Sequence, residues 1–515
     1  MAARPNIVLI MTDQQRADLC AREGYPLDTT PYLDRLARQG VWFDRAYTVA
    51  PACVPARVSM LTGRYPSATR VRSNHNVADA TYQADLIDVL HELGYATALV
   101  GKNHSHLKPE DLDHWFHMGH SGGRGQDPAR EGPRTEQEAA FDEWLHALNH
   151  RAAIEPTPFP LECQGPYRSV SDAMGWLDAL AREQPERPFF LWLSFAEPHN
   201  PYQVPGPYYS LFPPESLPPT LSDQSALETK GFKFQFTWDL GHWGFPDYDE
   251  QRPRARANYM GMLRLIDDQV ARLIGHLEAC GLRDNTIVIF VSDHGDFVGE
   301  YGLMRKGPEM PECLMRIPML WIGPGISAAA SGSGGPHPAH VSLVDVMPTL
   351  CEAVGVPLPS GTQGRSLWPL LCGEPYPEAE FESVYGEQGF GGLHYGPEDS
   401  LGDEDTLVDP EQDGLRRGIS FDCLNSRSQS GTMRMLRKGR YKLVMDMQGR
   451  GQLYDLERDP VELKDLYGQP EWAAVERDLL AELLAWTLRA QDPLPLPRQR
   501  YVIKTDPRNY WSPYR

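Results

Sequence analysis

"NIVLIMTD", at residues 6–13, is the stretch that decides the fold. It is a short apolar run, rich in β-branched residues, and it ends in an acid. This pattern predicts a buried parallel strand whose carboxyl end lies at Asp13. The later runs "RPFFLWLSFAEPHNPY", "NTIVIFVSDHGD" and "RIPMLWIGPG" also predict strands, and the first two end in polar residues.

Helical patterns separate these strands. "PYLDRLARQG", at residues 31–40, predicts a helix that begins near Pro31 and ends at Gly40. "QADLIDVLHELGYATALVGKNHSH", at residues 83–106, predicts a helix, a glycine stop, a strand and a polar loop. "RANYMGMLRLIDDQVARLIGHLEACG", at residues 256–281, has the pattern of an amphipathic helix.

This alternation predicts an α/β fold with a large, mainly parallel sheet sandwiched by helices. In such sheets, ligands bind outside the carboxyl ends of the strands. The polar residues that follow the apolar runs all lie at that edge, so we expect the functional site there.

The character of the chain changes after residue 380, which predicts a large domain at 1–380 and a smaller α+β domain with a tail at 381–515. The acidic segment 398–414 reads as a loop or insertion. Segment 432–460 predicts two antiparallel strands around a Gly-rich turn, and segment 471–491 predicts an amphipathic helix. The Pro-rich, aromatic tail at 494–515 is a candidate contact between subunits of a homo-oligomer.

Composition restricts the partners of this protein. The net charge of −21 argues against a nucleic-acid partner, which would need a basic face, although a local cationic pocket can still bind anions. The eight cysteines are scattered, without a CxxC pair, which favours free thiols in a reducing compartment. We find no signal-peptide pattern and no segment of membrane-spanning length. We therefore expect a cytoplasmic protein without a membrane partner, or a secreted or periplasmic one if a leader has been removed.

"PACVPARVSMLTGRYP", at residues 51–66, carries a cysteine that no disulfide or zinc pattern explains. The spacing Cys53-x-Pro55-x-Arg57, followed by "LTGR", resembles the sulfatase signature. In that family a maturation enzyme oxidises the cysteine to formylglycine, an aldehyde whose hydrate attacks the sulfur of a sulfate ester. The resemblance implies that Cys53 is the precursor of this nucleophile, and that Arg57 orients and neutralises the hydrate. Ala56 stands where many members have serine.

Two strand-end motifs extend the resemblance to a metal site. "MTDQQ" supplies Asp13 and Gln14, and "SDHGD" supplies Asp293 and His294. In sulfatases these positions, with the formylglycine at Cys53, hold one divalent cation. Oxygen ligands from two strand ends suit Ca²⁺, whereas the amide and the imidazole lower the ligand charge and leave Mn²⁺ or Mg²⁺ open.

The remaining site residues also follow from the resemblance. It implies that Lys102 of "GKNHSH" and Lys306 of "LMRKGP" bind the sulfate oxygens, and that Lys306 or His199 of "AEPHNPY" protonates the leaving alcohol. His104 is then the base that helps to expel sulfate. Asn74, in "RSNHN", stands where relatives place an amide that contacts the sulfate.

The resemblance reaches from Asp13 to Leu466, since "LYDLERDPVELKDL" matches the closing motif of the family. It implies hydrolysis of a sugar, aryl or small alkyl sulfate, such as choline sulfate, to an alcohol and sulfate. One alternative is a phosphonate monoester or phosphodiester hydrolase of the same alkaline phosphatase superfamily. Those relatives carry neutral hydroxyl residues where this chain has Lys102 and His104. Another alternative is a non-catalytic binder of sulfated ligands, which would keep an unmodified Cys53.

Overall fold

The computed structural model describes residues 4–123, 135–148, 151–245, 247–331, 335–391, 394–399, 428–491 and 507–511. Most of the predicted acidic loop, Cys423 and most of the predicted tail lie outside the described residues. Within the described part of the chain, no helix has both the length and the apolarity to cross a membrane.

The strands form one large sheet, one smaller sheet and a short two-stranded pair. Their bounds are β1 Asn6–Asp13, β2 Val41–Phe43, β3 Ala46–Tyr47, β4 Ala96–Gly101, β5 His114–His117, β6 Phe189–Pro198, β7 Thr286–Ser292, β8 Met319–Ile322, β9 Val341–Ser342, β10 Ser383–Gln388, β11 Met433–Lys438, β12 Tyr441–Asp446 and β13 Gly451–Asp455.

The large sheet has the strand order β2-β8-β7-β1-β6-β4-β5. Its five strands from β7 to β5 run parallel, which agrees with the predicted α/β fold. At the other edge, β8 pairs antiparallel with β7, and β2 pairs antiparallel with β8. The sheet is therefore mixed, with a parallel block at its centre.

The described α-helices lie on both faces of the large sheet and beside the small one. Their bounds are α1 Pro31–Ala37, α2 Cys53–Thr62, α3 Pro66–Thr69, α4 Leu86–Glu92, α5 Glu136–Ala147, α6 Gly165–Glu183, α7 Gly206–Leu211, α8 Leu227–Lys230, α9 Phe232–Gly244, α10 Tyr248–Ala279, α11 Glu312–Met315, α12 Val346–Ala353, α13 Trp368–Cys372 and α14 Ala473–Ala490.

The central strand β1 supplies both halves of the core because its side chains alternate. Ile7, Leu9 and Met11 pack against α2, α4, α12 and α13 on one face. Val8 and Ile10 pack against α1, α6 and α10 on the other face. Each such side chain contributes about 1.5–3 kcal/mol when it leaves water, so this strand anchors the fold.

The small sheet corrects one prediction. Segment 432–460 forms the three strands β11, β12 and β13 rather than two, and β10 completes an antiparallel sheet in the order β10-β11-β12-β13. The count was wrong because residues 447–450 form a second turn, after the first one at Gly439. Helix α14 packs on this sheet through Leu479, Leu483 and Trp486, as its amphipathic pattern predicted.

Candidate active site

Four adjacent parallel strands bring the predicted site residues to one edge of the large sheet. β7, β1, β6 and β4 are neighbours, and their carboxyl ends run into Asp293, Asp13, His199 and Lys102. Neighbouring strands lie about 4.8 Å apart, so these side chains share one small volume. The site therefore lies where the sequence predicted it.

Cys53 is the first residue of α2 and lies at the centre of this volume. All ten residues of α2 are buried, and the Cys53 side chain is 1% exposed. Its Sγ lies 3.3 Å from His294 Nε2, 3.6 Å from Lys102 Nζ and 3.7 Å from Asp13 Oδ1. The positive end of the helix dipole and the lysine favour negative charge on this side chain.

Asp13, Cys53, Asp293 and His294 form a buried cluster that suits a divalent cation. One ligand atom from each lies within 4.8 Å of every other. His294 Nδ1 lies 2.8 Å from the Gly295 carbonyl oxygen and donates to it, so the Nε2 lone pair faces Cys53 and Asp13. Two carboxylates and one oriented imidazole are a donor set that fits Ca²⁺ or Mn²⁺.

Arg57 and Lys102 neutralise the two buried carboxylates. Arg57 Nε lies 2.9 Å from Asp293 Oδ2, its Nη2 lies 3.5 Å from Asp13 Oδ2, and Lys102 Nζ contacts Asp13. Burial alone would raise the pKa of Asp293, but the nearby charges of His294, Arg57 and Lys102 outweigh it and hold that pKa well below its usual range. A bound cation would leave the site with net positive charge, which suits an anionic ester.

Gln14 stands beside the cluster, in the left-handed backbone region at φ 70°. Its side-chain amide donates to Asp296 Oδ2 at 2.5 Å, and its Oε1 lies 3.4 Å from Lys306 Nζ. Asp296 also accepts hydrogen bonds from Tyr202 and from the Arg305 backbone, so it fixes this part of the site. The part of Gln14 in metal binding stays a prediction.

His199 and Lys306 form a hydrogen-bonded pair. His199 Nδ1 lies 2.7 Å from the Asn200 carbonyl oxygen, and its Nε2 lies 3.0 Å from Lys306 Nζ. Because Nδ1 donates to the carbonyl, Nε2 accepts from the ammonium group. Burial and the charges of His120, Lys306 and Lys102 hold the pKa of His199 well below its usual range, so the ring is neutral.

Lys102 is positioned by a close approach between β4 and β6. A side chain on Gly101 would lie 1.9 Å from the Ser194 carbonyl oxygen, and Gly101 has a φ of 107°. The Lys102 backbone N–H donates to that carbonyl at 2.7 Å, which turns the Lys102 side chain into the site. Glycine is needed here both for space and for the backbone angle.

His104 and Asn74 lie at the border of the site. His104 is exposed to solvent, and its ring lies edge-on to His120 with centroids 5.7 Å apart. Desolvation by the surrounding protein, together with the charges of Lys102, Arg57 and Lys306, lowers the pKa of His104 well below the usual range. Asn74 Oδ1 accepts from the Val54 backbone N–H at 3.0 Å, at the start of α2. Asn74 therefore holds the helix that carries Cys53.

His120 belongs to this cluster, although the sequence did not indicate it. Its Nε2 lies 2.8 Å from Lys102 Nζ, and its ring stacks on His199 with centroids 3.7 Å apart. It follows β5, which is the edge strand beside β4. The sequence "HWFH" of β5 is half-buried and lacks an apolar run, so it gave no strand signal. A histidine soon after a recognised strand would have been a candidate.

Aromatic residues of the segment 230–250 contribute to the packing of the core. Phe234 is buried against Phe297 and Tyr301, and Phe236 is buried as well. These two rings are therefore closed to a ligand.

A buried group of cations and imidazoles around a reactive side chain, at the carboxyl edge of an α/β sheet, defines a hydrolase for anionic esters. Comparison with known proteins identifies the family within this class of hydrolases. The sulfatase family model matches residues 5–356, and the chain belongs to the sulfatase family, within the alkaline phosphatase superfamily. It is accordingly a hydrolase of sulfate esters.

Individual relatives match along nearly the whole chain. The chain is 28% identical to an arylsulfatase of Clostridium perfringens, over 95% of both chains. It is 28% identical to a choline-sulfatase of Rhizobium meliloti, over 93% of this chain and 85% of the relative. The crystal structure of a phosphonate monoester hydrolase of Agrobacterium radiobacter superposes with a TM-score of 0.70 at 25% identity, over 95% of this chain and 96% of the other.

Proposed function

We propose that this chain cleaves a small organic sulfate ester to an alcohol and sulfate, with the oxidised form of Cys53 as the nucleophile. The position of Cys53 carries the proposal. Its Sγ lies at the start of a buried helix, within 3.7 Å of Asp13, Lys102 and His294. A buried structural cysteine would have no need of a lysine and two metal-type ligands at such distances.

Two groups would complete the site. Asp13, Gln14, Asp293 and His294 would hold a divalent cation, with Ca²⁺ as the first choice and Mn²⁺ or Mg²⁺ as alternatives. When bound, the cation polarises a sulfate oxygen and stabilises negative charge on the nucleophile. Formylglycine, formed from Cys53 by a maturation enzyme, would supply an aldehyde hydrate as the nucleophile for sulfur at the position of the Cys53 side chain.

Lys306 is the proton donor that the geometry favours for the leaving alcohol. The neutral His199 ring accepts a hydrogen bond from the Lys306 ammonium group, so the transferable proton lies on Lys306. His199 holds the ammonium group in place by accepting its hydrogen bond at Nε2. Lys102 Nζ lies 3.6 Å from Cys53 Sγ, where its charge can bind sulfate oxygens.

His104 can act as a general base because its ring is neutral at neutral pH. The surrounding positive charges and burial lower its pKa, so it does not carry a competing proton. Arg57 keeps both carboxylates ionised and oriented for a cation.

The relatives support a small sulfate ester as substrate. One is named an arylsulfatase and another a choline-sulfatase. We therefore propose an aryl or small alkyl sulfate first, with sulfated sugars as the next class. A cytoplasmic location stays a prediction.

Phosphonate monoester or phosphodiester hydrolysis is the second candidate, because a solved hydrolase of that kind has the same fold. The two activities are separated by comparing kcat/KM for 4-nitrophenyl sulfate and for a 4-nitrophenyl phosphonate monoester. We expect the sulfate to be the better substrate. A higher kcat/KM for the phosphonate would reverse the ranking. An unmodified Cys53 in protein from its native host, together with no turnover of either ester, would favour a binding protein.

Lys102→Thr is expected to lower kcat/KM for the sulfate ester by about 10–100-fold, because a charge-assisted contact of about 1.5–3 kcal/mol is lost. Phosphonate hydrolysis should fall less, since relatives of that kind have a hydroxyl residue at this position. The matched control is Lys108→Thr, an exposed lysine of the same loop, which should keep the wild-type rate. Equal losses for both esters would contradict the assigned part of Lys102.

His120 is expected to act through both of its neighbours, and two variants separate the effects. His120→Phe keeps a ring on His199 but loses the acceptor for Lys102, so KM should rise about 5–30-fold for all leaving groups. His120→Gln keeps an acceptor but loses the ring, so kcat should fall most for esters of poorly acidic alcohols, which need the proton from Lys306.

The measurement for His120 is a series of aryl sulfates with leaving groups of graded acidity. His114→Gln is the control, because His114 lies on β5, the strand before His120, but pairs with Asp172 and stacks on Trp176. Wild-type kinetics in both His120 variants would remove His120 from the site.

A further inference from the structure

A second cluster of metal-ligating side chains lies far from the proposed active site. It consists of Asp178 on α6, His276 in the last turn of α10, and Cys280, which caps the carboxyl end of α10. Helices α6 and α10 pack together on one face of the large sheet through Val170, Leu177 and Val270. The cluster therefore bridges two helices that already touch.

The cluster and the active site lie at opposite ends of the sheet. Cys280 precedes β7, so it lies near the amino end of that strand, whereas Asp293 follows its carboxyl end. The seven residues of β7 span about 23 Å at about 3.3 Å per residue. A ligand held by this cluster would not touch the substrate.

The three distances in the cluster match the edges of a metal tetrahedron. Zinc bonds of about 2.3 Å to sulfur, 2.05 Å to nitrogen and 2.0 Å to oxygen place these ligand atoms about 3.6 Å (S to N), 3.5 Å (S to O) and 3.3 Å (N to O) apart. In the structure, Cys280 Sγ lies 3.6 Å from His276 Nε2 and 3.9 Å from Asp178 Oδ1, and His276 Nε2 lies 3.0 Å from Asp178 Oδ1. Shifts of a few tenths of an ångström would complete the geometry.

The donor chemistry selects the class of metal. A thiolate, an imidazole and a carboxylate suit Zn²⁺ and similar transition metals, whereas Ca²⁺ and Mg²⁺ prefer oxygen ligands alone. Only this set keeps a thiolate when Cys53 is oxidised or replaced, so a thiolate-to-metal signal distinguishes it from the active site.

The electrostatic surroundings also favour a cation. The cluster lies at the negative end of the dipole of the 32-residue helix α10. Asp178 and Cys280 are exposed, so water can reach the position of a fourth ligand.

We propose that Asp178, His276 and Cys280 bind one transition-metal ion of the Zn²⁺ class, with water as the fourth ligand. The ion ties α6 to the end of α10 and stabilises the helical layer of the sheet. Its presence depends on the redox state of Cys280, because an oxidised thiol cannot supply the thiolate ligand.

The test uses full-length protein in excess Ca²⁺, with Co²⁺ as the spectroscopic probe. It is done in a Cys53→Ala background, so that no thiolate at the active site contributes. We expect one Co²⁺ per chain, with a thiolate-to-cobalt charge-transfer band and a dissociation constant below about 10 µM. Zn²⁺ should displace the Co²⁺ and raise Tm by about 2 °C at 100-fold excess over its dissociation constant.

Two further variants decide the assignment. Cys280→Ser should remove the charge-transfer band, and His276→Gln should weaken Co²⁺ binding at least tenfold. Cys280 is exposed and His276 is partly exposed, so the fold should survive both substitutions, which circular dichroism checks. Cys372→Ala, which alters another partly exposed thiol, should leave the band unchanged. A missing band in the parent, or a band that persists in Cys280→Ser, would overturn the proposal.

Discussion

Cys53→Ala is expected to abolish sulfate-ester hydrolysis while leaving the fold intact. Removing a catalytic nucleophile lowers kcat by roughly 10⁴-fold or more, and here no other side chain can replace the lost oxygen donor. Alanine suits the first turn of α2, and the neighbours of Cys53 come from other strand ends, so the free energy of unfolding should change by only about 1 kcal/mol. Initial rates with 4-nitrophenyl sulfate and a thermal melt measure the two effects.

The matched control is Cys372→Ala, which removes a thiol from α13, outside the site. It should keep the wild-type rate. The wild-type peptide of residues 46–57 should show, by mass, the exchange of the thiol for an aldehyde. Activity above about one per cent of wild type in Cys53→Ala would contradict the assignment of oxidised Cys53 as the nucleophile. An unmodified thiol in active wild-type protein would do the same.

Removal of the divalent cation is expected to have the second-largest effect. Metal ions contribute several kcal/mol to catalysis of this kind, so a chelated sample should lose about 10³-fold or more in kcat/KM. Adding Ca²⁺ or Mn²⁺ should restore the kcat/KM of the chelated wild-type protein. In Asp293→Asn the loss should be permanent, because one of the two buried carboxylates is gone and Arg57 loses its 2.9 Å partner.

Metal content by mass spectrometry separates a lost ion from a damaged fold. Asp345→Asn is the control, because Asp345 is equally buried and also pairs with an arginine, Arg365, but outside the site. The folded fraction of this variant should keep its metal and its activity. Full activity in a verified metal-free sample would remove Asp13, Gln14, Asp293 and His294 from the proposed cation site.

The sequence predicted the central strands well because their burial on both faces leaves continuous apolar runs. It also placed Asp13, Lys102, His199 and Asp293 at one edge, since each follows such a run. The antiparallel direction of β8 was not predictable, because the short apolar run "MLWI" is equally compatible with parallel and antiparallel pairing.

Other parts of the structure depend on contacts that a pattern does not encode. β10, "SVYGEQ", was missed because it is short and polar and contains Gly386, a poor strand former, which lies close to Met315. His120 was missed because its neighbouring edge strand is only half-buried. The pairing of Lys306 with His199 joins segments 107 residues apart, so only the folded chain reveals which of the two carries the proton.

The burial of α2 has a consequence for the timing of synthesis. In the folded chain the Cys53 side chain is closed off, so a maturation enzyme has no route to it. Strand β7, which directly precedes Asp293 and His294, ends at Ser292, roughly 240 residues after Cys53. At about 5–20 residues per second, a ribosome needs on the order of tens of seconds to reach that point. If Cys53 is oxidised as proposed, we expect the oxidation within this interval. The fraction of active molecules would then depend on the rate of modification relative to the rate of synthesis and folding.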